Sequence, residues 1–144
     1  MVDSDFSERN MGPKIDQVVV TFGTFDVFHV GHLNILERAR SHGGRLIVGV
    51  SSDELNRKKK GRYPVFAEAE RARILGALRC VDTVFFEHSL EEKRRYLLDH
   101  NADVLVMGDD WKGKFDEFSD ICDVVYLTRT PAISTTAVIE KIRY

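Results

Sequence analysis

The stretch Thr21-Phe22-Gly23-Thr24-Phe25-Asp26-Val27-Phe28-His29-Val30-Gly31-His32 begins inside an apolar run and ends with two histidines three residues apart. The apolar, β-branched run at residues 17–22 reads as a strand. Leu33, Ile35, Leu36 and Ala39 then recur at near-helical spacing until Gly43-Gly44. Strand, glycine-containing turn, polar cluster and helix start is the order in which an α/β protein presents backbone N–H groups and side chains to an anion. The stretch therefore reads as a phosphate site with imidazoles directed at it, and points to chemistry on a nucleotide.

Working outward, the same alternation repeats. Residues 45–50 read as a second strand, 53–56 as a short helical turn, and Arg57-Lys58-Lys59-Lys60-Gly61-Arg62 as a basic loop, the densest positive charge in the chain. Residues 68–79 form a helix that turns Ala72, Leu75, Ala77 and Leu78 toward a core. Strand 83–86 and helix 90–99 follow, then strands at 103–107 and 124–127 around a polar loop and a short helix, and a last helix over 134–143. Five short strands alternating with helices predict a Rossmann-like α/β fold: a parallel sheet covered on both faces, with right-handed crossovers and its functional loops at the strand C-termini.

A chain of 144 residues with 43% hydrophobic content suits one domain, here residues 17–144. The polar, mixed-charge residues 1–16 read as a disordered leader without a signal-peptide core. With 21 basic against 23 acidic residues the net charge is −2, which offers neither a nucleic acid nor a membrane surface a global attraction. No apolar run reaches the roughly 18 residues of a membrane span. Cys80 and Cys122 lack metal-ligand spacing and read as reduced structural thiols, which fits the cytoplasm.

Around the opening stretch, Gly23 permits a close approach, and His29 and His32 project to one side, where both reach one phosphate. Helix capping is the plain alternative for these imidazoles, and for Asp26 a turn aspartate bonding backbone is the favoured reading. Arg129-Thr130-Pro131-Ala132-Ile133-Ser134-Thr135-Thr136 follows the last strand as a second anion site. Ser134 caps the helix, while Ala137 stands where a capping box would need Glu or Gln, so the first N–H groups remain available beside Arg129, Thr135 and Thr136. One or two lysines of the basic loop clamp phosphate if the loop closes; taken alone, the run is a solvated face. Gly108-Asp109-Asp110-Trp111-Lys112-Gly113-Lys114-Phe115 follows the fourth strand as a binding loop. Its paired aspartates lack a third ligand for a permanent ion, which leaves Mg²⁺ to arrive on the nucleotide.

These motifs resemble the cytidylyltransferases of the H-x-G-H nucleotidyltransferase superfamily over about residues 17–143. The segment from Gly108 to Asp116 is similar to the glycerol-phosphate branch rather than to the choline-phosphate enzymes. The resemblance implies transfer of a cytidylyl group from CTP, with Mg²⁺, to glycerol 3-phosphate by a homodimer. It places Gly23, Thr24, Phe25, His29, His32, Arg79, Asp110, Arg129, Thr130, Ile133, Ser134, Thr135 and Thr136 around the nucleotide. Lys59, Arg62, Lys93 and Trp111 fall on the acceptor side, and His29, His32, Lys59 and Arg129 carry the chemistry. Arg71 and Arg79 match supporting arginines, with helix surface charge as the alternative for both. Lys93 in itself is one charge in the run 91–95. Two departures stand out: Pro131 and Ala132 replace an acidic residue and glycine, and the basic loop is one residue longer, so that Lys58, Lys59 and Lys60 compete for one role and Arg62 stands in for a lysine. A related transferase using choline phosphate, ethanolamine phosphate or a sugar phosphate, or ATP, is the near rival; a noncatalytic nucleotide-binding domain is the distant one.

Overall fold

A computed structural model describes residues 15–129 and 134–143. Five strands, β1 (Val18–Gly23), β2 (Arg45–Ser51), β3 (Thr83–Glu87), β4 (Val104–Gly108) and β5 (Asp123–Leu127), form one parallel sheet in the order β3-β2-β1-β4-β5. The expected Rossmann-like parallel sheet is thus present. The helices are α1 (Val30–Arg40), α2 (Asp53–Lys60), α3 (Glu68–Gly76), α4 (Lys93–Asp99) and α5 (Thr135–Arg143).

Strand periodicity divides the core between the two faces. Val19 points to one face with Leu36 and Ala39 of α1 and Leu75 of α3; its neighbour Val20 points to the other with Leu97 of α4, Phe118 and Cys122. Both faces being covered explains why the central strands read as unbroken apolar runs. Strand order reverses between β1 and β4, and at such a switch point the loops leaving the two strands diverge and open a crevice. The loop after β1 carries the two histidines, and the loop after β4 carries Asp110 and Trp111.

Three local expectations are corrected. The basic segment is not a loop: residues 57–60 are the last turn of α2. Four cations there complement the helix C-terminus, and Gly61, at φ 77°, closes it with an N–H bond to the Arg57 carbonyl. Helix α3 stops at Gly76 rather than Arg79, in a tight turn through Ala77, which is exposed; the buried positions of the helix are Arg71 and Leu75. Helix α4 begins at Lys93, three residues later than the pattern implied. Ile15 and Asp16, at the end of the expected leader, are exposed, and residues 1–14 lie outside the described set. Both cysteines are free thiols, Cys122 buried and Cys80 half-buried. Among the described residues no helix is long and apolar enough to cross a membrane.

Candidate active site

The turn after β1 is held in an unusual backbone conformation. Phe25 and Val27 adopt φ values of 54° and 49°, which is costly for a β-branched residue and persists only where the surroundings fix it. Gly23 allows the turn to fold back, since a Cβ there would sit 2.8 Å from the Phe25 ring. Asp26 fixes the turn from below. It accepts the Val65 and Phe66 N–H groups at 2.6 and 2.9 Å, tying the 63–66 segment to the histidine turn across 40 residues of sequence. Asp26 also accepts the adjacent Val27 N–H at 3.1 Å, the local turn bond the sequence implied, so its backbone partners are distant as well as local.

The two histidines do cap α1, the plain alternative for these imidazoles, and the capping bonds use one nitrogen of each ring. His29 is the N-cap of α1: its Nδ1 accepts the Gly31 N–H at 3.0 Å, and the His32 Nδ1 accepts the His29 N–H at 3.2 Å. The rings stack with centroids 3.8 Å apart. An Nδ1 that accepts cannot carry a proton, so each neutral ring carries its hydrogen on Nε2. The His32 Nε2 lies 3.5 Å from the Thr135 hydroxyl, which donates to the Asp26 carbonyl. The His29 Nε2 is buried with no hydrogen-bond partner among the described residues. Burial, then the neighbouring His29, push His32 down to about 4, and burial followed by the Arg129 charge lowers His29. Near neutral pH the pair therefore presents uncharged N–H donors.

A cavity of about 260 Å³ lies between this pair and the start of α5, lined by His29, His32, Arg38, Arg129, Ser134, Thr135 and Thr136. Ser134 caps α5 by accepting the Ala137 N–H at 3.0 Å, as the sequence implied. Arg129 lies 3.6 Å from the Asp110 carboxylate, which links the loop after β5 to the loop after β4. Thr130 and Ile133, like Pro131 and Ala132, lie outside the described residues.

A larger cavity of about 620 Å³ opens beside it, and its lining joins all the loops at the C-terminal edge of the sheet: Gly23, Thr24 and Phe25 after β1, Lys59, Lys60 and Arg62 from α2 and its exit, Asp110 and Trp111 after β4, with Arg129, Thr135 and Thr136. Lys59 is an exposed residue, yet its Nζ donates to the Ser51 Oγ at 3.3 Å; Lys58 is not part of the lining. Trp111 is partly exposed and packs against Phe115 with centroids 5.5 Å apart. Arg79 is exposed beyond the end of α3 and lines neither cavity. Arg71 is fully buried instead and holds the site's backbone: it donates to the carbonyls of Phe66, Thr24 and Ser51, each at 2.9 Å, and pairs with Asp53 at 2.7 Å.

Sequence reasoning passed over Asn56, Ser51 and Glu87. Buried Asn56 accepts the Thr24 hydroxyl at 2.9 Å while donating to the carbonyls of Ser51 and Ser52. Glu87 is 1% exposed and pairs at 2.6 Å with Lys93, itself buried. The available signal was a charge closing an apolar strand at the edge of the sheet where ligands bind. Among the described residues no group of three or more His, Cys, Asp and Glu side chains is arranged to hold a metal ion.

The parallel sheet thus brings a glycine turn, two N–H-bearing imidazoles and a hydroxyl-rich helix start around one crevice, an arrangement suited to a nucleotide's phosphates. The family model described as cytidylyltransferase-like matches residues 20–141, and the chain belongs to that family. It is 50% identical over 125 residues to the glycerol-3-phosphate cytidylyltransferase of Bacillus subtilis strain 168, covering 86% of this chain and 95% of that protein. The glycerol-3-phosphate cytidylyltransferase of Staphylococcus aureus is 42% identical, over 86% of this chain and 93% of its own length. The bifunctional protein HldE of Aliarcobacter butzleri is 39% identical, over 94% of this chain but 28% of its own length. Among solved structures, the lipopolysaccharide core biosynthesis protein of Thermoplasma volcanium superposes with a TM-score of 0.71 at 25% identity, covering 79% of this chain and 98% of its own.

Proposed function

We propose that this protein transfers the cytidylyl group of CTP to glycerol 3-phosphate, giving CDP-glycerol and pyrophosphate. The acceptor's phosphate oxygen attacks the α-phosphorus in line, forming the new P–O bond as the bond to the bridging oxygen of the β-phosphate breaks. A phosphate monoester is already an anionic nucleophile at neutral pH, so the protein supplies position and charge stabilisation, and no covalent enzyme intermediate forms.

The observation that carries this reading is the buried His29 Nε2, a donor without a partner among the described residues, beside a cavity lined by Arg129, Ser134, Thr135 and Thr136. A buried N–H left unpaired costs free energy that a phosphate oxygen restores. In this reading His29, His32 and Arg129 receive the phosphates and the charge that grows on the leaving pyrophosphate, with Ser134, Thr135 and Thr136 at the helix start. Gly23, Thr24, Phe25 and Asp110 border the nucleotide, while Lys59, Lys93, Arg62 and Trp111 face the acceptor. Mg²⁺ enters as the metal of the Mg·CTP substrate. The proposal carries a homodimer, which sedimentation tests, in the cytoplasm.

The acceptor rests on the high identity to two enzymes named for glycerol 3-phosphate over most of their length. Pyrophosphate release is to be measured with CTP and with ATP, each against glycerol 3-phosphate, choline phosphate, ethanolamine phosphate and sugar phosphates. Turnover concentrated on CTP with glycerol 3-phosphate bears the proposal out. Preference for another pair overturns the substrate, and nucleotide binding without pyrophosphate release in any pair overturns catalysis.

A further inference from the structure

The floor of the larger cavity contains an arrangement that the transfer reaction itself does not require. Glu87, the last residue of β3, is 1% exposed, and its Oε2 accepts from the Lys93 Nζ at 2.6 Å. Its Oε1 accepts the Ser51 hydroxyl at 3.4 Å, and the same hydroxyl oxygen accepts from the Lys59 Nζ at 3.3 Å. One carboxylate thus connects both lysines assigned to the acceptor side. The ammonium of Lys93 also lies 3.8 Å from the centre of the Phe22 ring and 5.3 Å from that of Phe115, so rings crowd it where water would otherwise solvate it.

A buried ion pair is a poor device for stability, because apolar residues of similar volume do as well or better. Its presence beneath a cavity calls for another reason. The ring faces attract the ammonium, but burial away from water disfavours its charged form, and the carboxylate is the group that offsets this; a neutral amine would no longer attract a phosphate dianion. We propose that Glu87 is a positioning residue for the phosphorylated acceptor, holding Lys93 charged and in place and, through Ser51, directing Lys59 toward the same phosphate. The inference rests on the proposed transfer to glycerol 3-phosphate and adds to it the group that keeps the acceptor's cations in service.

The charged neighbours fit this role. Burial lowers Lys93, and Glu87 is the group that raises it. Lys59 is lowered by burial first, with Glu87 raising it and Lys60 and Lys93 lowering it. Lys114 and Glu117 line the same cavity from the segment after β4.

The test compares wild type, Glu87→Gln, Glu87→Asp, Lys93→Gln and the Glu87→Gln/Lys93→Gln double variant. Two readouts serve: KM and kcat for glycerol 3-phosphate and for CTP across pH, and the titration of Lys93 followed by NMR of ¹³Cε-labelled lysine. With the carboxylate gone, the pKa of Lys93 falls, so the alkaline limb of kcat/KM for the acceptor moves to lower pH by at least about one unit, tenfold in the protonation equilibrium. The acceptor KM rises by on the order of tenfold while the KM for CTP holds; Glu87→Asp recovers part of the loss, and Glu87→Gln adds little once Lys93 is already Gln. A merely structural glutamate would lower thermal stability and leave the Lys93 titration and the pH limb in place, and that result overturns the inference, as does independent addition of the two substitutions. If Glu87→Gln does not fold, Glu87→Asp carries the same comparison through its displaced carboxylate. If wild type releases no pyrophosphate with glycerol 3-phosphate, the proposed acceptor falls, and the Lys93 titration alone then decides whether Glu87 holds that lysine charged.

Discussion

Replacing His29 by Asn separates the two tasks of this residue. The imidazole spends Nδ1 on the N–H of Gly31 and leaves Nε2 without a partner among the described residues. Asparagine is among the best N-cap residues and keeps an acceptor near the Nδ1 position, but nothing in it reaches the place of Nε2. Alanine removes both. Losing one preorganised donor to developing phosphate charge costs about 100- to 1,000-fold in kcat, or roughly 3–4 kcal/mol. Losing the cap costs about 1 kcal/mol of stability, roughly 3 °C in a chain of this size. The expected pattern is that His29→Asn melts within about a degree of wild type yet loses 100- to 1,000-fold in pyrophosphate release, with kcat and kcat/KM falling together, as befits an interaction made in the transition state. His29→Ala shows the same kinetic loss and the lower melting temperature as well. If His29→Asn retains kcat within threefold, the unpaired Nε2 is not the donor and the assignment is wrong.

Further outcomes follow from the same geometry. Arg71→Met strips partners from three carbonyls and from Asp53, so urea unfolding should show a loss of about 3–5 kcal/mol; a loss below about 1 kcal/mol would mean that this network is dispensable. His32 is held down to about 4 by burial first, against an ordinary 6.5, so the unfolded chain binds the extra proton between those values. The stability this confers is complete above about pH 6.5 and declines as pH falls toward 4, and the urea midpoint of His32→Gln should decline less over that window. Equal slopes would place the pH dependence elsewhere. Lys59→Ala should raise the acceptor KM by on the order of tenfold and Lys58→Ala by less than twofold, since only the former lines the cavity; the reverse order would shift the register of the basic segment.

Much of the sheet was legible because a strand buried on both faces is a nearly continuous apolar run, as at Val18–Gly23 and Val104–Gly108. The histidine turn was legible because close spacing along the chain keeps His29 and His32 adjacent in space. Residues acting through distant partners were harder to read. Arg71 looks like any charge on a helix until its partners, the carbonyls of Thr24 just after β1 and Ser51 at the end of β2, arrive from elsewhere in the chain. Glu87 and Lys93 are ordinary surface residue types whose burial depends on how α4 closes over the sheet edge. The end of α2 was misread for a different reason: a run of lysines carries no apolar period, and only the cap at Gly61 with the favourable C-terminal charge reveals a helix there.

The most direct measurement is a ³¹P NMR time course of the protein with Mg·CTP and glycerol 3-phosphate. Cytidylyl transfer predicts that the CTP resonances decay as pyrophosphate and the coupled diphosphate pair of CDP-glycerol appear in equal amounts. CTP that persists unchanged, or that yields orthophosphate in place of pyrophosphate, would contradict the account.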